Sequence, residues 1–158
     1  MTEVDVNVSY VIRTAKLADV PAMAGLLAEL FAIETEFPID RSKQERALRM
    51  IIERPSAAAW VAEVDGRVEA MVTAQTVVST AEGGESVWIE DVIVRDAFRR
   101  RGIGRKLVQA VEQWCSGRGV TRMQLLADGS NEPAMEFYPR RGWTRTGMVA
   151  FRKMVKGE

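Results

Sequence analysis

The stretch Val94-Arg95-Asp96-Ala97-Phe98-Arg99-Arg100-Arg101-Gly102-Ile103-Gly104-Arg105-Lys106-Leu107 joins an apolar strand to an amphipathic helix through a basic loop that contains two glycines. With no Cβ at Gly102 and Gly104, backbone amides there can turn inward and approach a ligand closely. The helix that follows presents unpaired N–H groups and the positive end of its dipole, a combination that attracts anions. Arg99, Arg100, Arg101 and Arg105 place four positive charges around the same point. Two familiar phosphate loops do not fit. A P-loop ends Gly-Lys-Ser/Thr, whereas Gly104 is followed by Arg105 and Lys106 with no hydroxyl for magnesium. A dinucleotide fingerprint needs a third glycine where Leu107 stands. What remains is Arg-x-x-Gly-x-Gly, from Arg99 to Gly104.

Upstream, Val87-Trp88-Ile89-Glu90-Asp91-Val92-Ile93-Val94 has the β-branched, nearly continuous apolar character of a strand buried on both faces. It nevertheless carries two adjacent acids. Neighbours on a regular strand point to opposite faces, which leaves open whether one of the two simply pairs with an arginine.

At 158 residues the chain is long enough for one domain with a substantial core, residues 1–158. A composition of 47% hydrophobic and 28% charged residues is that of a globular protein rather than a disordered one. Lys plus Arg and Asp plus Glu are both 22, which argues against a general binder of nucleic acid or membrane surface. The basic loop alone would fit a nucleic-acid patch, but the Gly-x-Gly after it favours a small-molecule phosphate. No segment approaches the roughly 18 apolar residues of a membrane span, and the N-terminus is acidic rather than signal-like, so a cytoplasmic location is expected. The lone cysteine, Cys115, reads as a small buried hydrophobe on a helix. The absence of histidine excludes a Ser-His-Asp triad, a Cys-His pair and the ordinary His-containing zinc sites. No metal site is expected, and acid–base work falls to carboxylates, tyrosine, lysine or a terminus.

Along the chain, Tyr10 to Thr14 reads as a strand. From about Ala18, Ala22, Met23, Leu26, Leu27, Leu30 and Phe31 recur at helical spacing, with Pro21 suited to a first turn. Phe37-Pro38 breaks that helix, and a second runs from about Ser42 to Glu53, where Pro55 stops it. Trp60 to Val64 and Val68 to Thr76 read as strands joined by Asp65-Gly66, a strong hairpin signal. Ala81 to Glu85 is a second loop leading into the acidic strand. After the glycine loop, Leu107, Val108, Val111 and Trp114 form a helical stripe that ends near Gly117 and Gly119. Met123 to Ala127 is a short buried strand. The order β-α-α-β-β-β-α-β-α-β predicts an α/β fold with a mixed sheet and helices on both faces.

A second motif lies in Asn131-Glu132-Pro133-Ala134-Met135-Glu136-Phe137-Tyr138-Pro139-Arg140-Arg141-Gly142-Trp143. Asn131 can cap a helix, Pro133 suits its first turn, and Gly142 can end it. The two motifs together resemble the GCN5-related N-acetyltransferases, over nearly the whole of Val4 to Met154. From Trp88 to Trp143 the chain looks especially similar to the diamine (spermidine/spermine) branch, through its Ile-Glu-Asp strand and Asn-Glu-Pro-Ala helix start. Three positions depart from the family pattern. Asp96 stands where proline is usual, Arg100 where glycine is usual, and Pro139 where a charged residue is usual, next to Tyr138.

The resemblance implies a mostly antiparallel sheet with a V-shaped splay between its two central strands. A bulge near Glu90 to Val92 would part that strand from Leu125-Leu126, and the pantetheine arm of acetyl-CoA would lie in the gap. It would pair with backbone groups of Val92 and Val94, with Ile93 between them. The pyrophosphate would meet Arg99, Arg100, Arg101, Gly102, Ile103, Gly104 and Arg105. Asn131 would contact the pantetheine, and Ala134, Phe137 and Tyr138 would line the far side of the coenzyme. Glu90, partly buried with its pKa raised, is the candidate base, and Tyr138 the candidate acid. Glu34, Trp88 and Asp91, with Glu36 and Asp40, are candidate acceptor-lining residues. The resemblance thus implies an acetyl-CoA-dependent N-acetyltransferase acting on a small primary amine (polyamine-like, aminoglycoside-like or amino acid) in a ternary complex, and a homodimer. A non-catalytic acyl-CoA-binding module and a protein N-terminal or lysine acetyltransferase are the alternatives. No nucleic-acid or membrane partner is expected.

Overall fold

The computed structural model describes residues 8–34 and 36–156, and it divides into two compact units, Met1–Leu126 and Ala127–Glu158. The first unit holds β1 (Tyr10–Thr14), α1 (Val20–Ile33), α2 (Arg41–Glu53), β2 (Ala57–Val64), β3 (Arg67–Ser79), β4 (Gly84–Val94), α3 (Ile103–Gly117) and β5 (Met123–Leu125). The second holds α4 (Glu132–Phe137) and a short 3-10 turn, Pro139–Arg141.

The five strands form one sheet in sequence order, antiparallel from β1 to β4, with β5 parallel to β4. The β2–β3 hairpin closes through Asp65 and Gly66, both with positive φ (50° and 79°), the conformation that a two-residue turn of matching twist requires. Both faces of the sheet are covered. On one, Met23, Leu26 and Leu27 of α1 and Leu48 of α2 pack with Ala59, Val61, Met71 and Ile93. Strand alternation sends Trp60, Ala62 and Val64 the other way. There Trp60 meets Trp114 of α3 edge-on at 5.7 Å, and α3 buries Ile103, Leu107, Val108, Val111 and Cys115. Burial raises the thiol pKa of Cys115, as fits a packed side chain.

Charges lock the start of this unit. Arg13 on β1 grips the Asp19 carboxylate at 2.7 and 2.9 Å and reaches Glu63 on β2 at 2.9 Å. The Arg13 bonds hold the Asp19 carboxyl below its usual range. Asp40 caps α2 by accepting from Lys43 N–H at 3.2 Å.

Two expectations are corrected. β3 extends past Thr76 to Ser79, because its far end pairs with Glu85 and Gly84 in a long hairpin. The strand expected after the last helix is not formed: residues 143–156 carry no strand, and Met148, Val149, Phe151, Met154 and Val155 are all exposed. Apolar composition gives β propensity, but a strand exists only through a partner's hydrogen bonds. No helix among the described residues is long and apolar enough to cross a membrane.

Candidate active site

The site begins where β4 departs from a regular ladder. Met71 pairs with Ile93 and Thr73 with Glu90, so Asp91 and Val92 together stand opposite Val72. That is a β-bulge. Asp91 takes φ of 56°, a left-handed backbone that Asp tolerates better than most residues. On the other side of β4, pairing with β5 is confined to Val87, Trp88 and Ile89, ending at Leu125; Leu126 is 70% exposed. The sheet therefore opens beyond Ile89, and the expected bulge and splay are both present.

The bulge also changes where the acids point. Glu90 lies opposite Thr73, on the side of Met71 and the α1–α2 core. In a regular strand Asp91 would face away, but its Oδ2 lies 3.1 Å from Thr73 Oγ1, on the same side as Glu90. Both acids thus serve one face. Glu90 is exposed rather than partly buried, which corrects the sequence expectation. The carboxylate that carries the desolvation is Asp91: burial pushes it up to about 6, with the charges of Glu90 and Glu34 adding and the Thr73 hydrogen bond opposing. Glu34 arrives at the C-terminal cap of α1, its N–H donating to Leu30 O at 2.8 Å. Trp88, two residues before Glu90 and so on the same face, is half-buried. Asp40, by contrast, is committed to the cap of α2.

The glycine loop follows directly. A 3-10 turn at Asp96–Phe98 leads to Arg100 with φ of 62° and Gly102 with φ of 80°. The left-handed backbone at Arg100 explains why glycine is usual there, since a side chain in that region is strained. Asp96 in turn pairs with Arg99 at 3.4 Å. α3 begins at Ile103 with Gly102 as its cap and no side chain accepting from the first turn, which leaves that end suited to an anion. Arg99, Arg100, Arg101 and Arg105 are exposed around it. Ile93 and Ile103 are buried in the core, so any coenzyme contact from them is through backbone. The Val94 carbonyl accepts from Arg99 Nε at 2.9 Å.

In the second unit, Asn131 caps α4 by accepting from Ala134 N–H at 3.3 Å, which commits its side-chain oxygen and leaves its NH2 group as the donor. α4 ends at Phe137 and Pro139 opens the 3-10 turn, as a residue without N–H dictates. Tyr138 is packed edge-on between Phe137 at 5.0 Å and Trp143 at 5.5 Å, and Arg141 lies over the Phe137 ring at 3.7 Å.

Sequence reasoning missed Thr73. It read only as one residue in an apolar strand, and its partners become visible only with the β3–β4 register. A separate concavity of about 380 Å³, lined by Arg13, Trp60, Lys106 and Gln113 among others, lies between β1, β2 and α3, away from the carboxylates.

The Acetyltransferase (GNAT) family profile matches residues 26–143. An uncharacterized N-acetyltransferase of Methanocaldococcus jannaschii is 26% identical over 94% of this chain and 67% of its own length. An aminoglycoside N(6')-acetyltransferase of Salmonella typhimurium is 25% identical over 64% of this chain and 72% of its own length. The chain spans about two thirds of the first two relatives, the second being a probable N-acetyltransferase of Xenopus tropicalis. Among solved structures, an aminoglycoside N-acetyltransferase in complex with CoA superposes with a TM-score of 0.80 at 21% identity, over 96% of this chain and 99% of that one. A predicted acetyltransferase with acetyl-CoA from Clostridium acetobutylicum gives 0.78 at 15% identity, over 92% and 96%. With the profile spanning most of the chain and the bulge, splay and glycine-capped helix in place, the chain belongs to the acetyltransferase (GNAT) family.

Proposed function

We propose that the protein transfers an acetyl group from acetyl-CoA directly to a primary amine of a small cationic acceptor, in a ternary complex. The observation that carries this reading is the bulge at Asp91–Val92, which opens the sheet beside the anion-suited start of α3 and turns two carboxylates to one face. The pyrophosphate would take the first-turn amides of α3 and the arginines from Arg99 to Arg105, and the pantetheine would pair along Val92 to Val94. An acceptor of polyamine, aminoglycoside or amino-acid type suits a face bearing Glu90, Asp91 and Glu34, beside Trp88.

The chemistry follows from charge. An ammonium must lose one proton before its nitrogen can attack the thioester carbon. That proton passes to the Glu90–Asp91 pair, directly or through water. The C–N bond forms as the C–S bond breaks, and the second ammonium proton leaves as the thiolate is protonated. The resemblance assigns the hydrogen bond to the departing sulfur to Tyr138. The products are an acetamide, coenzyme A and one proton. A cytoplasmic homodimer accompanies this reading, on the resemblance alone, and sedimentation checks the dimer.

The test is thiol release from acetyl-CoA over spermidine, an aminoglycoside, small amino acids and a peptide. Acceleration by a small amine supports the proposal, and acceleration by the peptide alone moves it to a protein acetyltransferase. Coenzyme binding with no acceptor-dependent release overturns it in favour of a binding module.

A further inference from the structure

Thr73 sits in the middle of β3 and is 1% exposed, yet its Oγ1 has two oxygens at 3.1 Å: the backbone carbonyl of Glu90 and Oδ2 of Asp91. A hydroxyl has one proton to donate. When Asp91 is ionised both neighbours are acceptors, and Thr73 satisfies only one. When Asp91 is protonated its own O–H donates to Thr73 Oγ1, and the Thr73 proton goes to the Glu90 carbonyl. Which oxygen holds the Thr73 proton therefore depends on the charge of Asp91, and the bond to the charged carboxylate is the stronger of the two. The groups facing Asp91 are acidic, Glu90 beside it on β4 and Glu34 from the end of α1.

We infer that Thr73 is a positioning residue: it turns its single proton between the Glu90 carbonyl and Asp91, and so couples the charge on Asp91 to the backbone of the bulge. With Asp91 ionised, Thr73 turns to it and the Glu90 carbonyl is released to accept an N–H from an incoming ammonium. Once the proton of that ammonium has passed through Glu90 to Asp91, Thr73 swings back to the carbonyl and the freed amine loses its backbone hold. One proton moves from nitrogen to carboxylate, and no other bond changes. This consequence for turnover rests on the acetyltransferase reading, while the coupling itself does not.

The coupling is read from the carboxyl carbon resonance of Asp91, assigned by its loss in Asp91→Asn, titrated in wild type, Thr73→Val, Thr73→Cys and Thr73→Ser. Loss of the donor in Thr73→Val moves the midpoint upward, since the hydrogen bond favours the charged form. Thr73→Ser restores the wild-type midpoint. Should Thr73→Val not fold, Thr73→Cys keeps a weaker donor at the same place, without the methyl, and its midpoint also rises. In kinetics, the acid limb of kcat/KM moves upward with the same variants, and on that limb, below pH 6, Thr73→Val loses on the order of tenfold, the value of a hydrogen bond to a charged group. A midpoint unmoved in both Thr73→Val and Thr73→Cys overturns the inference even if the enzyme is active. A midpoint that moves in a protein with no amine-dependent thiol release leaves the coupling standing and overturns the acetyltransferase reading instead.

Discussion

Among the described residues of the first unit, residues other than glycine enter the left-handed region at two places: Asp65, beside Gly66 in the β2–β3 turn, and the segment from β4 into α3, at Asp91 and Arg100 ahead of Gly102. The turn does so with the Asp-Gly pair that makes such geometry inexpensive, and its product is a chain reversal. The second segment does so twice with residues that bear side chains. Its product is an open sheet, two carboxylates on one face and a helix start without a side-chain cap. Strain at a turn serves the fold, and strain along β4 and its loop sets out the groups of a reaction. On that contrast, substitutions in the first place change stability alone, and those in the second change coenzyme binding or turnover as well.

The deepest break expected is Glu90→Gln, which keeps shape and removes basicity. It lowers kcat on the order of a hundredfold, with acetyl-CoA affinity unchanged by calorimetry. An unchanged kcat would leave proton removal to Asp91 or solvent. Next in size is the charge on Asp91. Its pKa is raised from 3.8 to about 6, so the folded state holds that proton more tightly than the unfolded chain. The penalty is nil well below pH 4, grows as pH rises, and is complete above about 6, where it reaches about 3 kcal/mol. Asp91→Asn keeps a residue that tolerates the left-handed backbone, so its melting temperature should exceed wild type at pH 7 to 8 and equal it near pH 3. Equal melting at both would remove the buried carboxylate from the account.

The two regions are compared most directly by Gly102→Ala and Gly66→Ala, each at positive φ with room for a Cβ. Both should cost about 1 kcal/mol by chemical denaturation. Only Gly102→Ala should also raise the KM for acetyl-CoA, by roughly tenfold, through displaced first-turn amides. The smallest effect is expected from Arg100→Gly. Relief of the strained φ should stabilise the fold by about 1 kcal/mol, while the lost charge weakens coenzyme binding a few-fold at low salt and less at high salt.

Legibility in the sequence tracked how local each determinant was. The hairpin, the glycine loop and the cap at Asn131 depend on a few consecutive residues, and they form where expected or within a short shift. The existence of the bulge came from resemblance. Its consequence did not: alternation alone sends Asp91 away from Glu90, and only the two-against-one register over Val72 brings them together. Thr73 had no local signal at all, since a threonine in a strand is ordinary until a partner seventeen residues on is seen to be its acceptor.

What the sequence by itself determined is the set of elements and the anion-suited loop, because hydrophobic period, glycine placement and helix starts act over a turn or two of chain. Which carboxylate is desolvated, which side it faces and which hydroxyl governs it were decided only by tertiary structure. A pKa and a shared proton depend on dielectric and on distances between strands, and neither is written along the chain.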